Sequence, residues 1–410
     1  MTFQSKFVGA DSHVKRMELL NFIVVKKKIV LFILLLAASL LVYLLLPLNG
    51  WIIPYYDRSV FYPFQAIRGD LFALVPFSIG DILYVIAGAS VLAGFIRFVV
   101  RLFRFSENKK RVGEYVLGSF NAVLFVYLFF MVGWGGNYFK VSLSKYWRLN
   151  GDNIHFRLPS SADSSASDSL KKGRAAEAIA KVKADLYSFD SFLVVNLNQC
   201  APIYMSLTFK DINQRAIKYY RQYTDTKLQK SGLGLKPTFF GYFLERLGVE
   251  GYYNPFTGEG QVNDKLPCFA LPFLVAHEIS HQAGIAAEGD ANLMAYALCT
   301  ATDDISFKYS AYLEIWLYTN RRLYYRDSAL ALQLEHGLNK LTQLHLDTLE
   351  QLSKKYDNEY ARYSTKVFDS YLKMQDQKQG VRSYSNVATT AWKLEQERWN
   401  GFLPKLIRIP

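Results

Sequence analysis

Two imidazoles four residues apart, with a carboxylate beside the first, occur at His277-Glu278-Ile279-Ser280-His281. On a helix, positions i and i+4 share one face, so both rings can reach one metal ion while Glu278 lies beside that face. Zinc suits imidazole and carboxylate ligands, and three protein ligands leave a fourth position for water, whose pKa the metal lowers toward about 7. Glu278 is then placed to take that water's proton. The expected third ligand is Glu288, because Gly284 can end the helix in a left-handed conformation and turn the chain back toward the metal. Asp290 competes for that place, and Asn292, one turn beyond Glu288, can orient a ligand histidine from behind.

Histidine is scarce here, six in 410 residues, so two at this spacing enclosing a Glu form a specific signal. The alternative, a buried helix whose polar side chains only bond each other, leaves three ionisable groups on an otherwise apolar helix unexplained. His13, His155, His336 and His345 have no such company. Upstream, Gly251 to Asn263 combines turn chemistry with strand formers and reads as a hairpin. Its Asn254, Gly258, Glu259, Gln261 and Asn263 make a candidate substrate edge, to which an extended peptide could add by main-chain hydrogen bonds. A purely structural hairpin fits the same residues equally well.

The elements that must position this site divide in two. The chain is 51% hydrophobic and 20% charged, with the apolar residues concentrated before residue 135, which indicates a membrane region. Three spans are expected at about 29–46, 82–100 and 116–134, forming a membrane anchor over 1–136. Lys26, Lys27 and Lys28 precede the first, and Arg97, Arg101, Arg104, Lys109, Lys110 and Arg111 fall between the second and third. By the positive-inside rule the N-terminus is cytoplasmic and everything after Trp134 lies outside a bacterial cytoplasmic membrane. The first span is too long for a signal peptide and lacks its small-residue cleavage pattern, so it reads as a retained anchor.

The net charge of +13 partly follows from those flanks, and nucleic acid is not an expected partner; the lipid bilayer is. Cys200, Cys268 and Cys299 form no C-x-x-C pair and imply neither a disulfide framework nor a thiolate metal site. Residues 137–169 read as a connector ending in a Ser-rich linker, and 170–410 as a soluble domain, mainly α with a small β-sheet. Helical spacing runs over Leu170 to Tyr187, Asp211 to Tyr223 and Phe239 to Leu247, and Ile203 to Phe209 reads as a short strand. After Ala291 nearly everything is helical, with breaks at Asp303-Asp304, Arg326-Asp327 and Gly380 and a charged tract from Glu350 to Lys378.

The segments Asn254 to Asn263, Leu271 to Phe273, His277 to Gly284 and Glu288 to Asn292 resemble a bacterial membrane-protein family catalogued as domain of unknown function 3810. The three spans match as well, so the resemblance covers most of the chain. That family is in turn similar to the HExxH zincin metallopeptidases of the gluzincin kind. The resemblance implies Glu288 as zinc ligand and Asn292 as the residue behind it, with a shorter gap after His281 and Asn in place of the gluzincin Asp. The expectation is a membrane-anchored, zinc-dependent peptidase acting on peptides or proteins of the cell envelope. A non-catalytic envelope scaffold with a structural metal and an intramembrane metalloprotease are the alternatives.

Overall fold

The computed structural model describes residues 4–103, 105–149, 168–201, 206–356, 387–401 and 407–410, with a few single positions between 359 and 370. Most of the expected Ser-rich linker, the break at Gly380 and His155 lie outside the described residues, as do residues 203–205 of the strand expected at Ile203 to Phe209; of the rest, residues 206–208 form no strand and Phe209 opens a helix. Two compact units emerge. One comprises Met1–Val60 with Ile82–Phe139, and the other Phe61–Asp81 with Lys140–Pro410.

The first unit holds α1 (Gln4–Leu45), α2 (Asn49–Tyr56), most of α4 (Ile79–Phe103) and α5 (Phe105–Gly133), ending in a 3-10 turn at Gly135–Phe139. Helical stretches Ile23–Leu45, Ile79–Phe103 and Arg111–Gly133 are each long and apolar enough to cross a bilayer, in line with the three expected spans. Among the described residues, Leu46, Ile53 and Met131 form a small buried cluster in this unit. Some polar side chains of these helices are tied from one helix to another, as where Asn121 donates to the Lys28 carbonyl (3.0 Å) and Tyr115 to that of Gly94 (2.6 Å).

The second unit is mainly α-helical with one small sheet. Its helices are α3 (Tyr62–Ala73), α6 (Leu143–Tyr146), α7 (Asp168–Cys200), α8 (Phe209–Tyr223), α9 (Gly241–Leu247), α10 (Leu271–Gln282), α11 (Glu288–Ala301), α12 (Ile305–Tyr324), α13 (Ser328–His336), α14 (Lys340–Tyr356) and α15 (Val387–Trp399). Thr208 and Asp211 close a capping box at the start of α8, which is why the chain is already helical at Phe209. Asp304 and Asp327 cap α12 and α13 and so account for two of the breaks expected from sequence. The long α7 packs along α12, and Phe189, Leu193, Tyr296, Tyr312 and Trp392 are among the core residues where α7, α11, α12 and α15 meet.

The sheet has the order β1-β3-β2, with β1 (Leu235–Pro237) parallel and β2 (Gly251–Tyr253) antiparallel to the central β3 (Gly260–Val262). Asn254 Oδ1 accepts from the N–H groups of Phe256 and Thr257, and Gly258 takes a φ of +72°, which closes the hairpin between β2 and β3.

One boundary differs from the sequence expectation. Residues 61–81, expected as part of the membrane anchor, belong to the second unit. Arg68 donates to the Pro255 carbonyl (2.5 Å), Gln65 to that of Gly258 (2.9 Å) and Tyr62 to that of Ala283 (3.2 Å). Glu259 accepts from the Gly80 N–H (2.7 Å), and Asp81 accepts from the Phe239 N–H (2.7 Å), Thr238 Oγ1 and the Tyr252 hydroxyl. The connection between two spans is thereby a structural part of the domain that carries the histidines.

Candidate metal centre

Pro272 opens α10 in its first turn, where a missing N–H costs nothing, and the apolar residues around the histidines bury the helix. At its end the Gly284 N–H bonds the His281 carbonyl and the Ile285 N–H that of Ser280, with Gly284 at φ +89°. This is the left-handed cap expected of Gly284. The reversal leads into α11, whose first residue is Glu288.

Glu288 Oε2 lies 3.2 Å from His277 Nε2 and 3.6 Å from His281 Nε2, and the ligand atoms of all three residues fall within 4.8 Å of one another. At metal–ligand distances of about 2.0–2.1 Å, a tetrahedral site needs ligand separations of roughly 3.4 Å. Glu288 stands close to that separation from both rings, and the widest pair of the set would have to draw in for all three to share one ion. His281 Nδ1 bonds the Ile285 carbonyl at 2.7 Å, so the Nδ1 proton is the one retained and Nε2 presents its lone pair inward. A lone pair facing a carboxylate oxygen is repulsive unless a cation or a proton sits between them. All three residues are buried, as is Glu278.

Burial opposes charge on Glu288, but the two histidines hold its carboxyl well below the usual carboxylate range. Burial likewise works against a charged His281, yet Glu288 pushes it up to about 9. For Glu278 burial dominates and raises the carboxyl, with His277 and His281 pulling the other way. Glu278 packs against the hairpin: a Cβ placed on Gly251 would stand 2.8 Å from its Oε1 and 2.9 Å from the Gln261 carbonyl oxygen, so glycine leaves room there for both. Three buried atoms here, His277 Nδ1, Glu278 Oε2 and Asn292 Nδ2, have no hydrogen-bond partner among the described residues.

Not every expected role is met. Asn292 is buried on α11, but it makes no hydrogen bond to His277 Nδ1, and the partner of His281 is a backbone carbonyl instead. Asp290, one residue past the N2 position of α11, is directed to the Leu143 N–H and stays out of the cluster, so Glu288 is the carboxylate that reaches both histidines. The candidate substrate edge is corrected. Its strand β3 is paired on both sides, and Asn254, Gly258, Glu259, Gln261 and Asn263 are all buried. Their side chains and backbone hold the architecture: Glu259 pairs with Lys236 at 2.6 Å, Gln261 bonds Ser78 at 3.0 Å, and Asn263 donates to Glu245 at 2.7 Å. The outer strand next to Glu278 is β2.

Sequence reasoning also missed the wall of this site. Glu250 precedes β2 and opens to solvent, while Glu314 and Tyr318, one turn apart on α12, are half-buried. Burial among neighbouring protein raises Glu250 against the pull of His277, and it raises Glu314 to about 7, with the nearby Glu250 adding to that shift. The Tyr318 hydroxyl bonds Glu314 and, through burial and the nearby Glu314, Glu250 and Glu288, stays protonated far above its ordinary range. The i, i+4 pair of Glu314, the one acidic residue of α12, and Tyr318 was the signal available.

The site is thus a buried group of two imidazoles and a carboxylate that could hold a metal ion, with a second carboxylate beside them. The chain matches, over residues 56–390, the family described as Protein of unknown function (DUF3810), and it belongs to that family. No curated protein and no solved structure matches it.

Proposed function

We propose that this protein is a membrane-anchored, zinc-dependent peptidase whose ligands are His277, His281 and Glu288 and whose general base is Glu278. The observation that supports it most is the buried Glu278 carboxylate, which packs beside the three ligands with one oxygen unpartnered among the described residues. A purely structural metal site has no use for such a group, whose burial without a partner costs about 1–3 kcal/mol. Zinc bound there would act as a Lewis acid that lowers the pKa of a water and balances charge developing on a carbonyl oxygen. Glu278, raised by burial, accepts a proton readily and can hand it on to a leaving amine. The Ile285 carbonyl fixes the ring of His281, and the outer strand β2 offers main chain along which a peptide can lie. The Tyr318 hydroxyl is a protonated donor on the same rim.

The intramembrane alternative fits poorly, because α10 has 12 residues, about 18 Å of helix, and is packed in the core of the second unit. The proposed topology puts the N-terminus in the bacterial cytoplasm and the second unit outside, acting on envelope peptides or proteins. Metal analysis of the purified full chain tests the site: about one zinc per chain is expected, and none in His281→Ala. Glu278→Gln should keep the zinc while hydrolysis of a peptide library falls by about 10²-fold or more. Equal cleavage by parent and Gln variant, with zinc intact in both, would remove the catalytic assignment.

A further inference from the structure

Helix α3 is inside out. Its buried residues are Tyr62, Gln65, Arg68 and Gly69, with Gln65 and Arg68 spent on the hairpin carbonyls, while Ile67, Leu71 and Leu74 face outward. Positions i, i+4 and i+7 form one apolar stripe, and Leu74 at its end is 81% exposed. The stripe continues across the fold. Phe77 is exposed and its ring lies 6.3 Å from that of Phe239, beyond which Tyr242 and Phe243 on α9 are more than half exposed. Arg246 lies over the Tyr242 ring and bonds its hydroxyl at 2.6 Å, the arrangement of an aromatic body with a charged tip.

A soluble domain does not leave such a surface open without a partner of its own polarity. Chain length says which partner is in reach. The span Ile79–Phe103 begins two residues after Phe77, at most about 7 Å of extended chain, and five residues after Leu74, at most about 18 Å. Wherever the second unit turns, Phe77 and the Phe239 ring against it must remain near the point where the chain enters the bilayer. We infer that the face formed by Ile67, Leu71, Leu74, Phe77, Phe239 and Phe243 is a lipid-docking surface that seats this unit on the membrane interface. Apolar side chains on such elements sink about 5–10 Å into the headgroup and acyl boundary, with aromatic and Arg groups at its edge. Asp81, which accepts from the Phe239 N–H and from Tyr252 on β2, ties this surface to the strand beside Glu278. The inference stands whether or not the site is a peptidase.

The test uses the full chain in nanodiscs of phosphatidylethanolamine and phosphatidylglycerol, with Cys268, the partly exposed cysteine, replaced by Ser. A nitroxide is attached singly at Leu74→Cys, Phe243→Cys or the exposed control Gln214→Cys, and its collision rates with oxygen and with a water-soluble nickel chelate are measured. Leu74 and Phe243 are exposed, so the label displaces no core atom. The expected result is an oxygen-to-nickel ratio at 74 and 243 several-fold above that at 214, the mark of lipid. Ratios equal to the control would overturn the inference by showing both sites in water. Low accessibility to both reagents at 74 and 243 would overturn it too, by showing a protein partner instead of lipid.

Discussion

Cutting the chain at residue 140, where the membrane anchor ends in sequence, should not release a stable domain. Among the described residues, 61–81 form at least twelve hydrogen bonds with the rest of the second unit, through Tyr62, Gln65, Arg68, Asp70, Phe72, Phe77, Ser78, Ile79, Gly80 and Asp81. At about 0.5–1.5 kcal/mol net for each, their loss amounts to roughly 6–18 kcal/mol. That matches the whole stability of an ordinary domain, about 5–15 kcal/mol. Loss would fall on the hairpin first, since Glu259, Gln261 and the Gly258 carbonyl are buried there, and with it on the wall against which Glu278 packs. A fragment 140–410 and the full chain, each followed by near-ultraviolet circular dichroism on heating, make the comparison. The fragment is expected to lack a cooperative transition, and co-expression with a 1–139 fragment in the same membrane should restore protease resistance. A fragment that melts cooperatively within a few degrees of the full chain would refute the reasoning.

Gly284→Ala forces an L-residue into φ +89° at about 1–2 kcal/mol and sets its Cβ 2.6 Å from Phe61 Cε1, so zinc competition with a chromophoric chelator should show roughly tenfold weaker binding. Asp190→Asn tests a buried acid that burial raises to about 7 against the 3.1 Å hydrogen bond from Asn320. Because the folded pKa lies above the unfolded value near 4, the native state binds the extra proton and parent stability declines as pH rises from about 4 to 7. The Asn variant should therefore melt higher than the parent at pH 8, with the gap closing toward pH 4, and a pH-independent difference would count against a buried, protonated Asp190.

Elements governed by local rules were legible in the sequence. Three long apolar runs, the cap at Gly284, the Asp caps before α12 and α13 and the hairpin over Asn254 to Gly258 each follow from short-range chemistry, and each is present. The convergence of His277, His281 and Glu288 belongs with them, since one helix turn and one glycine reversal suffice to bring them together. What stayed hidden depended on partners distant in the chain. Residues 61–81 read as part of the membrane anchor, and Glu259 and Gln261 read as a substrate edge, because nothing nearby in sequence shows that Gly80 bonds Glu259 and Ser78 bonds Gln261.

The same long-range pairing explains why the motif richest in polar residues is not where a substrate would lie. A polar side chain engaged in two or three buried hydrogen bonds has no capacity left for a ligand, and Glu259 spends its carboxylate on Lys236 and the N–H groups of Ile79 and Gly80. The groups with capacity remaining are those of Glu278 and, at the solvent-facing rim, Glu250, Glu314 and Tyr318. These come from three separate elements, α10, the start of β2 and α12, and two of them depend on the β2–β3 hairpin staying in place. The hairpin in turn rests on a connection between two candidate spans, so the integrity of the proposed active site depends, through Asp81 and Glu259, on residues 61–81 staying in place.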